Sequence, residues 1–179
     1  MTPLNAKTLA ICAAAFLSLH AHALDSTTRY GNALTVGLPV AAAGLAWANQ
    51  DMVGLTQLVK SETATVVLAE VMKSATHQTR PNGKDDKSFP SRHTAVAFSA
   101  AQFMQMKGGW EYGAPAYLAA SYVANSRVEA REHRWRDVVA GAATGALTTY
   151  YFTNDTQGRW MGLSFTGQSA SFQLVQAFQ

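Results

Sequence analysis

A mainly α fold, a compact helical bundle of about five helices carrying a short C-terminal β-hairpin, is predicted by three features of this 179-residue chain. Apolar stretches rich in Ala, Val and Leu recur at lengths that suit helices better than strands. Helix-breaking residues separate them, at Pro81, at Pro90-Ser91 and at Gly108-Gly109. Only the tail from about residue 158 turns to partial alternation with β-forming residues, interrupted at Gly167-Gln168-Ser169. With 48% hydrophobic residues, the chain holds material for one core and hardly for two.

The first segment carries one Lys7, an apolar run from Leu9 to Leu19, and Ala21-His22-Ala23 before the composition changes. This is the layout of a secretory signal, so residues 1–23 are expected to be cleaved and residues 24–179 to form a single domain. An uncleaved anchor is the alternative, but the run is short for a membrane span. The single cysteine, Cys12, lies in this segment, so the remainder depends on neither a disulfide nor thiol chemistry. An exported chain of that kind suits a bacterial periplasm.

Tyr30 to Gln50 has no charge and reads as a buried helix that Pro39 could interrupt; Asn32, Thr35 and Asn49 weaken it as a membrane span. A second helix is predicted from Val53 to Thr79, stopping before Arg80-Pro81, and Asn82 to Pro90 reads as an exposed loop. Ser91 is a good N-cap for a third helix reaching Met106. A fourth is expected over Gly113–Asn125 and a fifth from near Glu132 to Phe152, where Ala140, Gly141, Ala143, Thr144 and Gly145 permit close packing.

Charge is unevenly spread. Lys73 to Asp137 holds ten Lys or Arg against six Asp or Glu, whereas Leu24 to Met72 holds two against four. An anionic ligand belongs in the basic half, unless that half is only a solvated face. Three segments there carry chemistry. In KSATHQTRP, Lys73 and Arg80 are spaced to share one face of a helix and meet one anion. In FPSRHTA, Ser91 opens a helix whose first N–H groups and dipole cradle an anion, with His93 in the first turn. In SRVEAREHRWRD, Arg127 precedes the fifth helix, and His133 and Asp137 are four apart, so a carboxylate can hold the imidazole N–H. Taken singly, each has a plain alternative: an exposed cationic helix, a capped surface histidine, a surface hydrogen bond.

Taken together, Lys73-x6-Arg80-Pro81, Pro90-Ser91-Arg92-His93 and Ser126-Arg127-x5-His133-x3-Asp137 resemble the type-2 phosphatidic acid phosphatase superfamily. That group includes bacterial class A acid phosphatases and vanadium haloperoxidases. The resemblance covers residues 73–137, and the only departure among the defining positions is Arg92, where the family usually has glycine. It implies a metal-independent phosphatase of phosphomonoesters or terminal phosphates. His133 would be the nucleophile that becomes phosphohistidine, Asp137 its orienting carboxylate and His93 the acid for the leaving oxygen. Lys73, Arg80 and Arg127, with Ser91 and the backbone at Arg92, would form the phosphate clamp. Three cations and a helix end can stabilise a transferring phosphoryl group by position and charge, so no cofactor or metal is expected. His77 matches none of these roles, and a zinc site from His77, His93 and His133 has no supporting spacing.

The Arg92 side chain adds charge and bulk at the rim, affecting substrate size or favouring a second phosphate. Arg131, Arg134 and Arg136 remain as rim cations or solvent contacts. The expected partner is a phosphorylated small molecule or lipid, with contact to a membrane surface left open. Nucleic acid is disfavoured, since the basic groups cluster at a pocket motif. A non-catalytic phosphate or anionic-lipid binding module and a vanadate-dependent peroxidase are the alternatives of other classes.

Overall fold

The computed structural model describes the backbone of residues 6–153, 159–166 and 169–176, and the side chains of residues 26–153. Among the described residues the helices are α1 (Ala6–Ala48), α2 (Met52–Thr76), α3 (Arg92–Gly108), α4 (Trp110–Glu129) and α5 (Trp135–Phe152). Strands β1 (Arg159–Thr166) and β2 (Ser169–Gln176) pair antiparallel, from Arg159 opposite Gln176 to Thr166 opposite Ser169. The helical bundle and the hairpin are thus as expected; the turn residues 167 and 168 lie outside the described residues.

Helix α3 is the axis of the bundle and packs against all four other helices. Its sequence explains why: Ala95, Ala97, Ala100 and Ala101 are fully buried, and side chains this small let four neighbours approach one helix. Phe103, Val123 and Leu58 fill the wider gaps of the same core. Burying each of these larger side chains is worth about 1.5–3 kcal/mol. The expected small-residue face of α5 meets α3 directly. A Cβ at Gly141 would strike the Ser91 carbonyl, and one at Gly145 the Ala95 carbonyl. Hydroxyls line the contacts of α5: Thr65 of α2 and Thr148 share a hydroxyl contact, and Ser99 Oγ of α3 lies 2.8 Å from Thr149 Oγ1.

The helix ends differ from expectation in ways that shape the site. Pro39 does not interrupt α1, which runs unbroken past it, and the expected cleavage point after Ala23 falls within this helix. Helix α2 stops at Thr76 rather than Thr79, because His77 adopts a left-handed conformation (φ 45°) and its N–H closes on the Lys73 carbonyl. Helix α4 is longer than predicted and keeps Ser126 and Arg127 in its last turns. Helix α5 begins at Trp135, so His133 lies in the connection before it. There the N–H of Arg134, the N-cap, is met by Asp137 Oδ2 at 2.9 Å, which fixes the helix start two residues after His133.

Candidate active site

The C-terminal end of α2, the start of α3, the end of α4 and the start of α5 converge at one end of the bundle. Lys73, in the last turn of α2, is 6% exposed, and desolvation lowers its ammonium pKa, with Glu70 opposing and Arg80 and Arg92 adding to the shift. Arg80 is not on that helix, contrary to the shared-face expectation. The left-handed turn at His77 sends the chain into a loop, where Arg80 Nε donates to Asp85 Oδ1 at 2.7 Å. The loop nevertheless returns Arg80 to the site, since its charge acts on both Lys73 and His133.

Ser91 caps α3 as predicted, but its hydroxyl turns inward, accepting from Thr94 Oγ1 at 3.0 Å and from Thr94 N at 3.4 Å. The residue is fully buried, and its own N–H is spent on the Asp137 carbonyl. The groups free to face an anion at this helix start are therefore the N–H groups of Arg92 and His93, which have no acceptor one turn back. The Arg92 side chain reaches across to α2, where Nη1 lies 3.3 Å from Glu70 Oε1. Its bulk is thereby carried along the rim.

His93 stands in the first turn of α3. Burial above all, then the charge of Arg127, lowers its pKa to about 4; Glu132 opposes, while Arg92 and Lys73 add to the effect. Arg127 is 1% exposed and held on every side. Its Nε bonds Ser126 Oγ at 3.1 Å, Nη1 bonds Asn32 Oδ1 at 2.9 Å, and Nη2 bonds the Thr28 carbonyl at 3.1 Å. Both α1 partners lie beyond Ala23, so they belong to the chain with or without the first segment. Gly31 makes this approach feasible, because a Cβ there would collide with Ser126 Oγ and crowd the Arg127 guanidinium. Glu132 Oε2 lies 3.4 Å from Arg127 Nη1 and 3.8 Å from Arg80 Nη1, joining two members of the expected clamp.

His133 is 2% exposed. Desolvation lowers its pKa to about 4, against the Ser88 backbone bond and Asp137, which raise it; Arg80 and Lys73 lower it further. The expected direct bond to Asp137 is not formed. Nδ1 lies 3.9 Å from Asp137 Oδ2 and instead 2.6 Å from the Ser88 carbonyl oxygen. The physical reason is the helix boundary: with His133 outside α5, the i,i+4 geometry does not apply, and Asp137 is engaged in capping α5. The same Oδ2 accepts from Ser88 Oγ at 2.6 Å.

His77 is exposed and pairs with Asp86 at 3.1 Å, away from these groups. Arg134 Nη1 donates to the Thr79 carbonyl at 2.8 Å, and Arg136 Nη2 bonds Gln78 Oε1, so both rim arginines brace the α2–α3 loop. Sequence reasoning missed Ser88, Glu132, Asn32 and Glu70. Ser88 sits in a turn-rich run and Asn32 in an apolar helix, and neither position carries a signal without its tertiary partners.

A family model described as the PAP2 superfamily matches residues 54–161. A protein named lipid A 1-phosphatase from Porphyromonas gingivalis is 39% identical over 72 residues, which is 38% of this chain and 16% of that protein. The chain thus spans about one sixth of that relative's length. The crystal structure of LpxE from Aquifex aeolicus superimposes with a TM-score of 0.63 at 20% identity, covering 72% of this chain and 84% of that one. This likeness is one of fold.

Proposed function

Because the chain belongs to the PAP2 superfamily, we propose that it is a phosphatase that cleaves a phosphomonoester or terminal phosphate through phosphohistidine at His133. The observation that carries this reading is the His133 ring itself. With Nδ1 donating to a carbonyl 2.6 Å away, the lone pair resides on Nε2, and a pKa near 4 leaves it unprotonated at neutral pH. Nε2 attacks phosphorus as the bond to the leaving oxygen breaks, and that oxygen takes a proton from His93. Water then attacks phosphorus, returns a proton to His93 and releases phosphate with His133 restored.

His93 must carry a proton for the first step. A bound phosphate dianion supplies the reason it would. Burial depresses the ring most in the free protein, and the Arg127, Arg92 and Lys73 charges add to it; an adjacent dianion both favours the imidazolium and offsets those charges. The same cations, with the N–H groups opening α3, stabilise the charge on the equatorial oxygens.

The substrate we favour is a lipid-linked phosphate outside the cytoplasm. The relative named for lipid A supports this, as does the reading of residues 1–23 as a secretory signal. So does the bundle's exterior: Tyr30, Val36, Val40 and Trp47 on α1, and Leu118, Leu147 and Tyr151 elsewhere, are exposed. Among the described residues, Ser26–Ala48 is long and apolar enough to cross a membrane, and most of it is not buried within the bundle. We read this face as resting against a membrane surface.

The test is phosphate release by the purified full chain from an aryl phosphate, a phosphatidic acid, a lipid A and an isoprenyl diphosphate, with and without chelator, beside His133→Ala. Chelator-resistant release that disappears in the variant is expected, with the lipids preferred. Release from the aryl ester alone would move the substrate to a soluble phosphoester. No release by a folded protein would leave a phosphate-binding module in its place.

A further inference from the structure

Ser88 belongs to none of the matching motif positions, yet it is fully buried and touches both members of the proposed dyad. Its carbonyl oxygen is 2.6 Å from His133 Nδ1, and its hydroxyl donates to Asp137 Oδ2 at 2.6 Å. Its N–H is bonded to the Gln78 carbonyl at 2.8 Å, so the residue is fixed from three directions. Asp137 Oδ2 also accepts from Arg134 N, and these two bonds hold the carboxylate 3.9 Å from the ring nitrogen it is expected to orient.

The geometry points to Ser88 as the positioning residue of the nucleophile: its carbonyl selects the tautomer of His133, and its hydroxyl, by engaging Asp137, keeps the carboxylate off the ring. This rests on the phosphohistidine reading, and it changes what Asp137 does. A carboxylate bonded directly to Nδ1 would stabilise the imidazolium strongly; a neutral carbonyl does so less and leaves the ring unprotonated over a wider pH range. The charged groups bearing on the ring are Lys73 from α2, Arg80 from the α2–α3 loop and Asp137 from α5. Beside the bond to the Ser88 carbonyl, Asp137 is the one charged group of these three that favours protonation, and it is the group that the Ser88 hydroxyl restrains.

The experiment compares the full chain with Ser88→Ala and Ser88→Thr. Replacing Ser88 with alanine keeps the carbonyl but removes one of the two bonds on Asp137 Oδ2, which lets the carboxylate move toward Nδ1 and raises the pKa of His133. The acid limb of the pH dependence of kcat/KM is expected to move to higher pH. The kcat value should fall about 10- to 100-fold, the usual effect of losing such a supporting contact, with KM little changed. Ser88→Thr, which keeps a hydroxyl, should restore most of the rate and the original limb. A purely structural role would lower the amount of folded protein, followed by thermal unfolding, without moving the limb; that result would overturn the proposal, as would failure of threonine to rescue.

Nitrogen NMR on histidine-labelled protein decides the question independently of turnover. Wild-type His133 should carry its proton on Nδ1 at neutral pH and titrate at lower pH than in Ser88→Ala. The opposite tautomer, or an unmoved midpoint, would defeat the positioning role even in an active enzyme. Absence of phosphate release with the expected tautomer would defeat the phosphatase reading and leave the positioning role standing.

Discussion

Glu132 places a carboxylate between Arg80 and Arg127, where under the proposed function it competes with an incoming phosphate, and it raises the pKa of His93. Glu132→Gln should therefore lower KM for a phosphomonoester several-fold, as the two cations lose an internal partner. It should also shift the alkaline limb of the kcat profile to lower pH, because His93 loses its proton more readily. Steady-state kinetics across pH measures both. A second buried acid lies outside the site. Desolvation raises Glu62 to about 8 despite its bond to Ser99, and Oε1 has no partner. Its folded-state pKa exceeds that of the unfolded chain, so its contribution to stability is fully present below about 4.5 and declines as pH rises to about 8. Glu62→Gln should stabilise the fold by about 1–3 kcal/mol at pH 8 and have little effect at pH 4, read from denaturant midpoints. The histidines act in the other direction. His93 and His133 have lowered folded-state pKa values, so their contribution is present above about 6.5 and is lost as pH falls through about 4.

At the scale of elements, each helix end places one part of the site. The left-handed His77 ends α2 just after Lys73, the Ser91 cap opens α3 beneath His93, and the Asp137 cap opens α5 just after His133. The two glycines of α5 let it lie close enough to α3 for the Ser91 N–H to bond the Asp137 carbonyl at 2.9 Å. Gly145→Ala should force α5 outward and cost about 1–3 kcal/mol by denaturant unfolding, with activity falling in the protein that remains folded. Arg92 shows how an element absorbs a departure from a motif. Its ion pair with Glu70 spans α3 and α2 at half-exposed positions, so Arg92→Gly should change stability by about 0–1 kcal/mol.

For the whole molecule, α1 reaches the candidate site through Thr28 and Asn32, which hold the buried Arg127. Asn32→Ala should lower kcat/KM about 10-fold by loosening that guanidinium, measured by phosphate release. The exposed apolar exterior makes a second prediction at this scale: osmotic shock should release little of the protein, and detergent should release most of it, measured by immunoblot of the fractions. Release by shock alone would remove the membrane surface from the reading.

The residues between Lys73 and Asp137 pointed to the family and to the approximate end of α2 and extent of α3, because motif spacing, Pro81, the Ser91 cap and the glycines near the end of α3 are local features. Helix ends shifted by a few residues where a tertiary bond outweighed local propensity. At His133 the shift removed the i,i+4 pair on which the expected dyad rested. Which group holds the proposed nucleophile, and that α1 grips Arg127, were decided by the tertiary structure alone. The reason is physical: buried polar atoms must find partners within reach, and those partners lie 45 residues away at Ser88 and 95 away at Asn32, a distance along the chain that no local pattern encodes.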